Sequence, residues 1–140
     1  MRQPGPDAKP DMTDWRALQT SLAANGERRL VLLEGDRENN LQWLSGLLPE
    51  LELHTGLWTG PADQSPDPRL IPIAVSEARQ WLGREVSMII WDGWQGNPPD
   101  AFAALSGALT AGGLLFWLMP PLAEWHRFAD PDYPRTGLDH

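Results

Sequence analysis

Three short runs of continuous apolar character constrain this chain more than anything else in it. They are Leu30 to Leu33 (LVLL), Val86 to Trp91 (VSMIIW) and Leu114 to Met119 (LLFWLM). Runs without polar alternation fit strands buried on both faces, as in parallel sheets. The segments between them carry helical spacing. Trp15, Leu18 and Leu22 share one face of a helix that Thr13 can cap and Gly26 can end. Leu41, Leu44 and Leu48 share a face after the Gly35-Asp36 turn and cap, and Pro49 closes that helix. Phe102, Leu105 and Leu109 follow an Asn97 cap with Pro98 at the first helical position, and Ala111-Gly112-Gly113 is expected to end the helix. Strands alternating with helices imply βαβ units and right-handed crossovers, with the three strong strands as neighbours. Leu57 to Thr59 is a further short strand, Gly60 to Pro72 an exposed loop, and Ser76 to Leu82 a short helix. The expected fold is α/β: a small three-layer, Rossmann/flavodoxin-like parallel sheet of about four or five strands flanked by helices.

With 140 residues the chain is expected to form one domain. Residues 1–12 are polar and Pro-rich and read as a disordered lead. Residues 13–128 read as the single α/β domain, and residues 129–140 as a polar C-terminal tail. Within the former, Leu122, Trp125 and Phe128 fall on a common side of one more short helix. Eight tryptophans are expected to fill the core and its edges. The absence of cysteine excludes disulfides, thiolate catalysis and cysteine-based zinc sites. No run is long enough to span a bilayer and the N-terminus has no apolar signal core, so no membrane contact and a cytoplasmic location are expected. The formal net charge is −8 and the basic residues form no patch. Such a surface repels phosphate, so strong nucleic-acid binding by this chain alone is not expected.

Ligands of open parallel sheets sit beyond the carboxyl ends of the strands. Three loops meet that description: Glu34-Gly35-Asp36, Asp92 to Asn97, and Pro120-Pro121. Glu34, Asp36, Asp92 and Gln95 therefore form the candidate ligand crevice. Three acids there could hold Mg²⁺ or divide acid and base roles. Alternatively, Asp36 caps a helix while Glu34 and Asp92 are solvated loop acids. The first turn has one glycine between two acids, a poor cradle for a pyrophosphate. No phosphate-binding loop of the G-x-x-x-x-G-K-[ST] type occurs, and Lys9 is the only lysine. His54, His126 and His140 are scattered, so no metal site is assigned. Ser106 lies mid-helix, not on a nucleophile elbow, and no catalytic residue is assigned. Trp94 and Trp125 are the candidate partner contacts.

Asp92, the helix Phe102 to Leu109 (FAALSGAL), Ala111-Gly112-Gly113, Pro120-Pro121 and Glu124-Trp125 together resemble the N-terminal domain of the bacterial tRNA(Met) cytidine acetyltransferases. Arg28 to Asp36 (RRLVLLEGD) and Trp81 to Glu85 (WLGRE) resemble that family's first strand and turn and its connection into the next strand. The family's enzymes use acetyl-CoA and ATP to make N4-acetylcytidine at the wobble position of the elongator methionine tRNA. Their ATP site lies in a helicase-like domain and acetyl transfer in a separate acetyltransferase domain, both after the N-terminal one. The resemblance thus implies an accessory domain, not catalytic by itself, whose partners are those two modules. It implies no cofactor in this chain, with acetyl-CoA, ATP and Mg²⁺ held elsewhere. It further implies that tRNA is touched weakly, or only in the full-length context. The alternative is a stand-alone Rossmann-like domain binding a small ligand or a methyl donor at the strand ends.

Overall fold

The computed structural model describes residues 12–96 and 98–121. Eight main elements follow one another: α1 (Met12–Ala24), β1 (Arg29–Glu34), α2 (Arg37–Leu47), β2 (Gly56–Trp58), β3 (Ile71–Pro72), β4 (Val86–Asp92), α3 (Pro99–Ala108) and β5 (Leu109–Met119). Short 3-10 turns lie at Leu48–Glu50, Ala62–Gln64, Val75–Trp81 and Gly93–Gln95. The five strands form one sheet in the order β1-β5-β4-β2-β3, and every pairing is parallel. This is the α/β parallel architecture the apolar runs call for, with the three strong strands side by side.

Each face of the sheet carries its own apolar layer, the second one leaving the β1 edge open. On the first face, Trp15 and Leu22 of α1 and Leu44 and Leu47 of α2 pack on Met88, Ile90, Leu114, Phe116 and Leu118. Trp15, Trp43 and Phe116 form an aromatic trio there, with centroids 5.4–6.2 Å apart. On the second face, Ala101, Ala104, Leu105 and Ala108 of α3 and Ala78 of the Val75–Trp81 turn cover Ile89, Trp91, Leu115 and Trp117. Phe102 stacks edge-on against Trp91 at 5.3 Å and lies 5.0 Å from Trp117. Trp15, Trp58, Trp91 and Trp117 are all buried, so half of the eight tryptophans fill the core.

Several local expectations are corrected. The run Leu30 to Leu33 is not buried on both faces. β1 is an edge strand, Val31 and Leu33 pack into the first-face core, and Leu30 and Leu32 are 46% and 54% exposed on the other side. The Ala111-Gly112-Gly113 triplet does not end a helix. α3 stops at Ala108, and the triplet lies inside β5, where the pairing jumps from Val86↔Leu109 to Met88↔Leu114. Gly112 adopts φ +83°, donates its N–H to the Glu27 carbonyl, and leaves only 3.0 Å between a would-be Cβ and Ala23. Only glycine tolerates both the left-handed backbone and the approach of the end of α1.

α1 already contains Thr13, so Thr13 is not its cap, while Gly26 does end it at φ +69°. α3 begins at Pro99 with Pro98 as its cap residue, one position later than the sequence suggests. The expected Asn97 cap lies outside the described residues. The Ser76 helix is a 3-10 turn that starts at Val75, fixed by the Glu77 carboxylate accepting from the Ala74 N–H at 2.9 Å. The Gly60–Pro72 segment is not simply exposed. It buries Leu70 and Asp67, and it adds β3 to the sheet beside β2. Asp67 is held by Arg69, whose Nη2 and Nε lie 2.9 and 3.0 Å from its two oxygens. The helix expected at Leu122 to Phe128 falls outside the described residues.

Two outcomes test this packing. Phe116→Ala empties the centre of the first-face core and is expected to cost about 3–5 kcal/mol, read as a lower urea midpoint. Leu82→Ala, at an exposed site, should stay within about 0.5 kcal/mol. The Arg69 guanidinium holds the Asp67 carboxyl below the ordinary carboxylate range, chiefly by side-chain hydrogen bonding. A depressed folded value stabilises the fold above the unfolded value of about pH 4, and that stability disappears as pH falls through the lower folded value. The stability difference between the native chain and Asp67→Asn should therefore be largest at neutral pH and shrink below pH 4 in acid titrations followed by circular dichroism.

Candidate functional site

Because all five strands run parallel, their carboxyl ends lie along one edge, and the three singled-out loops leave from it. Glu34 ends β1, Asp92 ends β4, and Pro120 follows β5. The β1–α2 loop is pinned to the neighbouring strand by the Gly35 N–H, which donates to the Met119 carbonyl at 3.1 Å. Asn40 is buried inside α2 and donates through Nδ2 to the carbonyls of Leu33 and Glu34 at 3.2 and 3.4 Å. A buried side-chain amide thus finds partners in strand-end carbonyls.

The centre of this edge is Asp92, only 1% exposed. Arg37, the first residue of α2, reaches over the end of β5 to it. Arg37 Nη2 lies 2.7 Å from Oδ2 and Nε lies 3.2 Å from Oδ1, a bidentate fork. Oδ1 also accepts the Trp94 N–H at 3.3 Å, and the Asp92 N–H donates to Thr59 Oγ1 at 2.9 Å. The side-chain hydrogen bond to Asp92 raises the Arg37 guanidinium above its ordinary value. The surroundings are tight. A Cβ on Gly60 would come within 2.7 Å of Asp92 Oδ2 and 2.3 Å of Trp58 Cζ2, and one on Gly93 within 2.3 Å of the Leu118 carbonyl. The ion pair joins the β1–α2 loop to the end of β4, Thr59 ties in the end of β2, and the Gly35 N–H ties in the end of β5.

The sequence-derived crevice residues separate into distinct surroundings. Asp36 is exposed and caps α2, its Oδ2 accepting the Asn39 N–H at 2.9 Å. Glu34 is exposed at the end of β1, and Gln95 is exposed in the Gly93–Gln95 turn. Asp92 is neither a cap of a long helix nor a solvated loop acid, for it is buried and paired. Among the described residues no group of three or more His, Asp or Glu side chains stands close enough to hold a metal ion. Trp94 is half-buried and packs against the first-face core. Trp125 lies outside the described residues. The sequence reading passed over Arg37, Asn40 and Thr59. The signal that could have found Arg37 was the strand-end acid itself, since a carboxylate buried at a sheet edge needs a cation. Arg37 is the only cationic residue in the three loops or at the start of the helix that follows the first of them.

No helix among the described residues is long and apolar enough to cross a membrane.

A family model described as tRNA(Met) cytidine acetyltransferase TmcA, N-terminal, matches residues 8–137. Proteins of the name tRNA(Met) cytidine acetyltransferase TmcA are similar to the chain over most of its length. The one from Nitrosococcus halophilus is 38% identical over 130 residues, covering 90% of this chain. That from Salmonella typhimurium is 36% identical over 125 residues, covering 87%. An archaeal one, from Haloarcula marismortui, is 29% identical over 123 residues, covering 86%. The chain spans only about a sixth of the length of these relatives, 17%, 17% and 16% respectively.

Removing the cation alone tests the ion pair. Arg37→Met leaves a carboxylate buried without its partner and should destabilise the fold by about 3 kcal/mol, the lower end for broken buried pairs because Arg37 is partly exposed. The double variant Arg37→Met/Asp92→Asn should recover part of that loss. Additive losses in the double-mutant cycle would show that the two side chains act independently.

Proposed function

The chain belongs to the N-terminal domain family of tRNA(Met) cytidine acetyltransferase TmcA, and on that footing we propose that it is an accessory, non-catalytic module of an RNA cytidine acetyltransferase. In this reading the module packs on the helicase-like and acetyltransferase parts of the longer protein, in the cytoplasm. Those parts hold ATP, Mg²⁺ and acetyl-CoA and form N4-acetylcytidine on the methionine tRNA.

The observation that carries the proposal is the Arg37–Asp92 pair. The strand-end edge is where an open α/β sheet takes its ligand. Here the central carboxylate of that edge is already committed to a guanidinium and a backbone N–H, and Gly60 brings its backbone against it. A metal or a phosphate group would have to displace that pairing. The net charge of −8 argues in the same direction, because it disfavours tRNA as a ligand of this part alone. Glu34, Asp36 and Gln95 are then surface groups at the rim, and the half-buried Trp94 between Asp92 and Gln95 offers an aromatic anchor to a neighbouring module.

The isolated chain is expected to bind methionine tRNA more weakly than about 10 μM at physiological salt, in the range of non-specific contacts. It should show no thermal shift with ATP–Mg²⁺, acetyl-CoA or S-adenosylmethionine. A sub-micromolar tRNA affinity, or a saturable shift with any of these ligands, would overturn the accessory reading. The same shift assay decides on the small-ligand alternative, which requires a positive response that Asp92→Asn abolishes.

A further inference from the structure

β1 is the last strand on its side of the sheet and, among the described residues, pairs with β5 alone. A strand so placed offers its open row of N–H and C=O groups to a further strand. The Gly35 N–H bonds to the Met119 carbonyl, so by alternation Leu33 and Val31 turn their backbone groups to β5. Leu30 and Leu32 turn theirs to the open side. Their side chains stand about half exposed on the second face. Beside them an open groove of about 340 Å³ separates β1 from α3, lined by Arg28, Leu30, Phe102, Gly107 and Leu115. From Leu30 to Leu33 the strand carries no proline, lysine or bulge, the devices that commonly blunt an edge.

We propose that this edge is an interface between two copies of the chain: β1 pairs antiparallel with β1 of a second copy about a two-fold axis at Val31, joining the two sheets edge to edge. Three observations select a second copy and this register. The first is backbone parity. Antiparallel pairing sets the open-side residues of one strand opposite the open-side residues of the other, and in both copies these are Leu30 and Leu32. The second is apolar matching. With the axis at Val31, Leu30 meets the partner's Leu32, and the leucines of both copies form one strip on the second face. An axis at Leu30 would set Arg28 against a leucine, and an axis at Leu32 would set Glu34 against one.

The third observation is charge. The strand is basic where it begins, at Arg28 and Arg29, and acidic where it ends, at Glu34 and Asp36. Antiparallel pairing about Val31 lays the basic end of each copy against the acidic end of the other, whereas parallel pairing would set like charges side by side. On a chain of net charge −8 two copies repel each other over most of their surface, and this edge is complementary to itself. The strip is narrow and lies at the small end of protein interfaces, so a reversible dimer with a Kd on the order of 10–100 μM is expected. The pairing edge is separate from the strand ends that hold Arg37 and Asp92, and the assignment holds whether or not the accessory reading does.

Sedimentation equilibrium of the full 140-residue chain tests the pairing. Over a range of about 5 to 500 μM the mass is expected to rise from monomer to dimer. Leu32→Lys places a charge on the open edge at an exposed site, so it should weaken association by about tenfold or more while leaving the thermal midpoint unchanged. The register is read separately, because the chain contains no cysteine. The two Val31 residues face each other on the axis as a non-hydrogen-bonded pair, with Cα atoms about 4.5 Å apart and within reach of a disulfide. Val31→Cys is therefore expected to oxidise to a linked dimer about tenfold or more faster than Leu82→Cys, although Leu82 is the more exposed residue. A chain that stays monomeric throughout the range would overturn the proposal. So would a dimer that Leu32→Lys leaves intact, or equal oxidation rates for the two cysteine variants.

Discussion

A parallel sheet cannot leave either face to water over most of its area, because its strands are joined by crossovers and carry apolar side chains on both sides. That requirement organises this molecule. β4 and β5 stand in the middle of the sheet and supply alternating residues to two separate layers: Met88, Ile90, Phe116 and Leu118 to one, Ile89, Trp91, Leu115 and Trp117 to the other. Each helix exists as a helix because one of its stripes completes such a layer, and helical propensity alone would not hold segments of ten to thirteen residues in water. The bulge at Ala111-Gly112-Gly113 belongs to the same arrangement. It absorbs extra residues in β5 while letting the end of α1 and the Glu27 carbonyl close against the strand.

With the central strands covered on both faces, the strand ends become the weak edge, with carbonyls and loops meeting over little apolar area. The Arg37–Asp92 fork, Asn40 on the β1 carbonyls and Thr59 on the Asp92 N–H close it. These are polar groups taken out of water, and each has its partner, which is the condition for burial without penalty. The fold class that commonly binds nucleotides at this edge has here spent the same positions on internal joints. Fold does not dictate function, and the chemistry of the site decides.

The sequence made the architecture legible where burial is two-sided. Val86 to Trp91 and Leu114 to Met119 are uninterrupted because both of their faces are covered, and both are strands. Leu30 to Leu33 carries the same signature yet forms the sheet edge, since a run of apolar letters does not state whether a roof lies over each side. The glycine triplet misled for a related reason: glycine marks a special backbone, and a bulge and a helix end are alike in needing one. At the strand ends, Asp36 and Asp92 were found because acids after a strand are conspicuous. Arg37 was not, because its role depends on reaching across β5 to a residue 55 positions away, which no local pattern records. Asp67 and Arg69 were hidden inside a Pro-rich stretch that composition marks as loop, although the pair buries the aspartate and helps set β3 beside β2.

These features bear on the accessory role proposed above. On that reading the domain contributes through rigidity and shape. The fork holds α2 and the Asp92–Gln95 turn in fixed register, so Trp94 is presented from a frame anchored to three strands at once. A neighbouring module that docks on this edge meets a preformed surface and loses little entropy in ordering it. The opposite edge of the design is β1, with an apolar strip and two arginines on an otherwise acidic chain. β1 is tied in at its carboxyl end, where the Gly35 N–H meets the Met119 carbonyl, while Leu30 and Leu32 on its flank stay about half exposed.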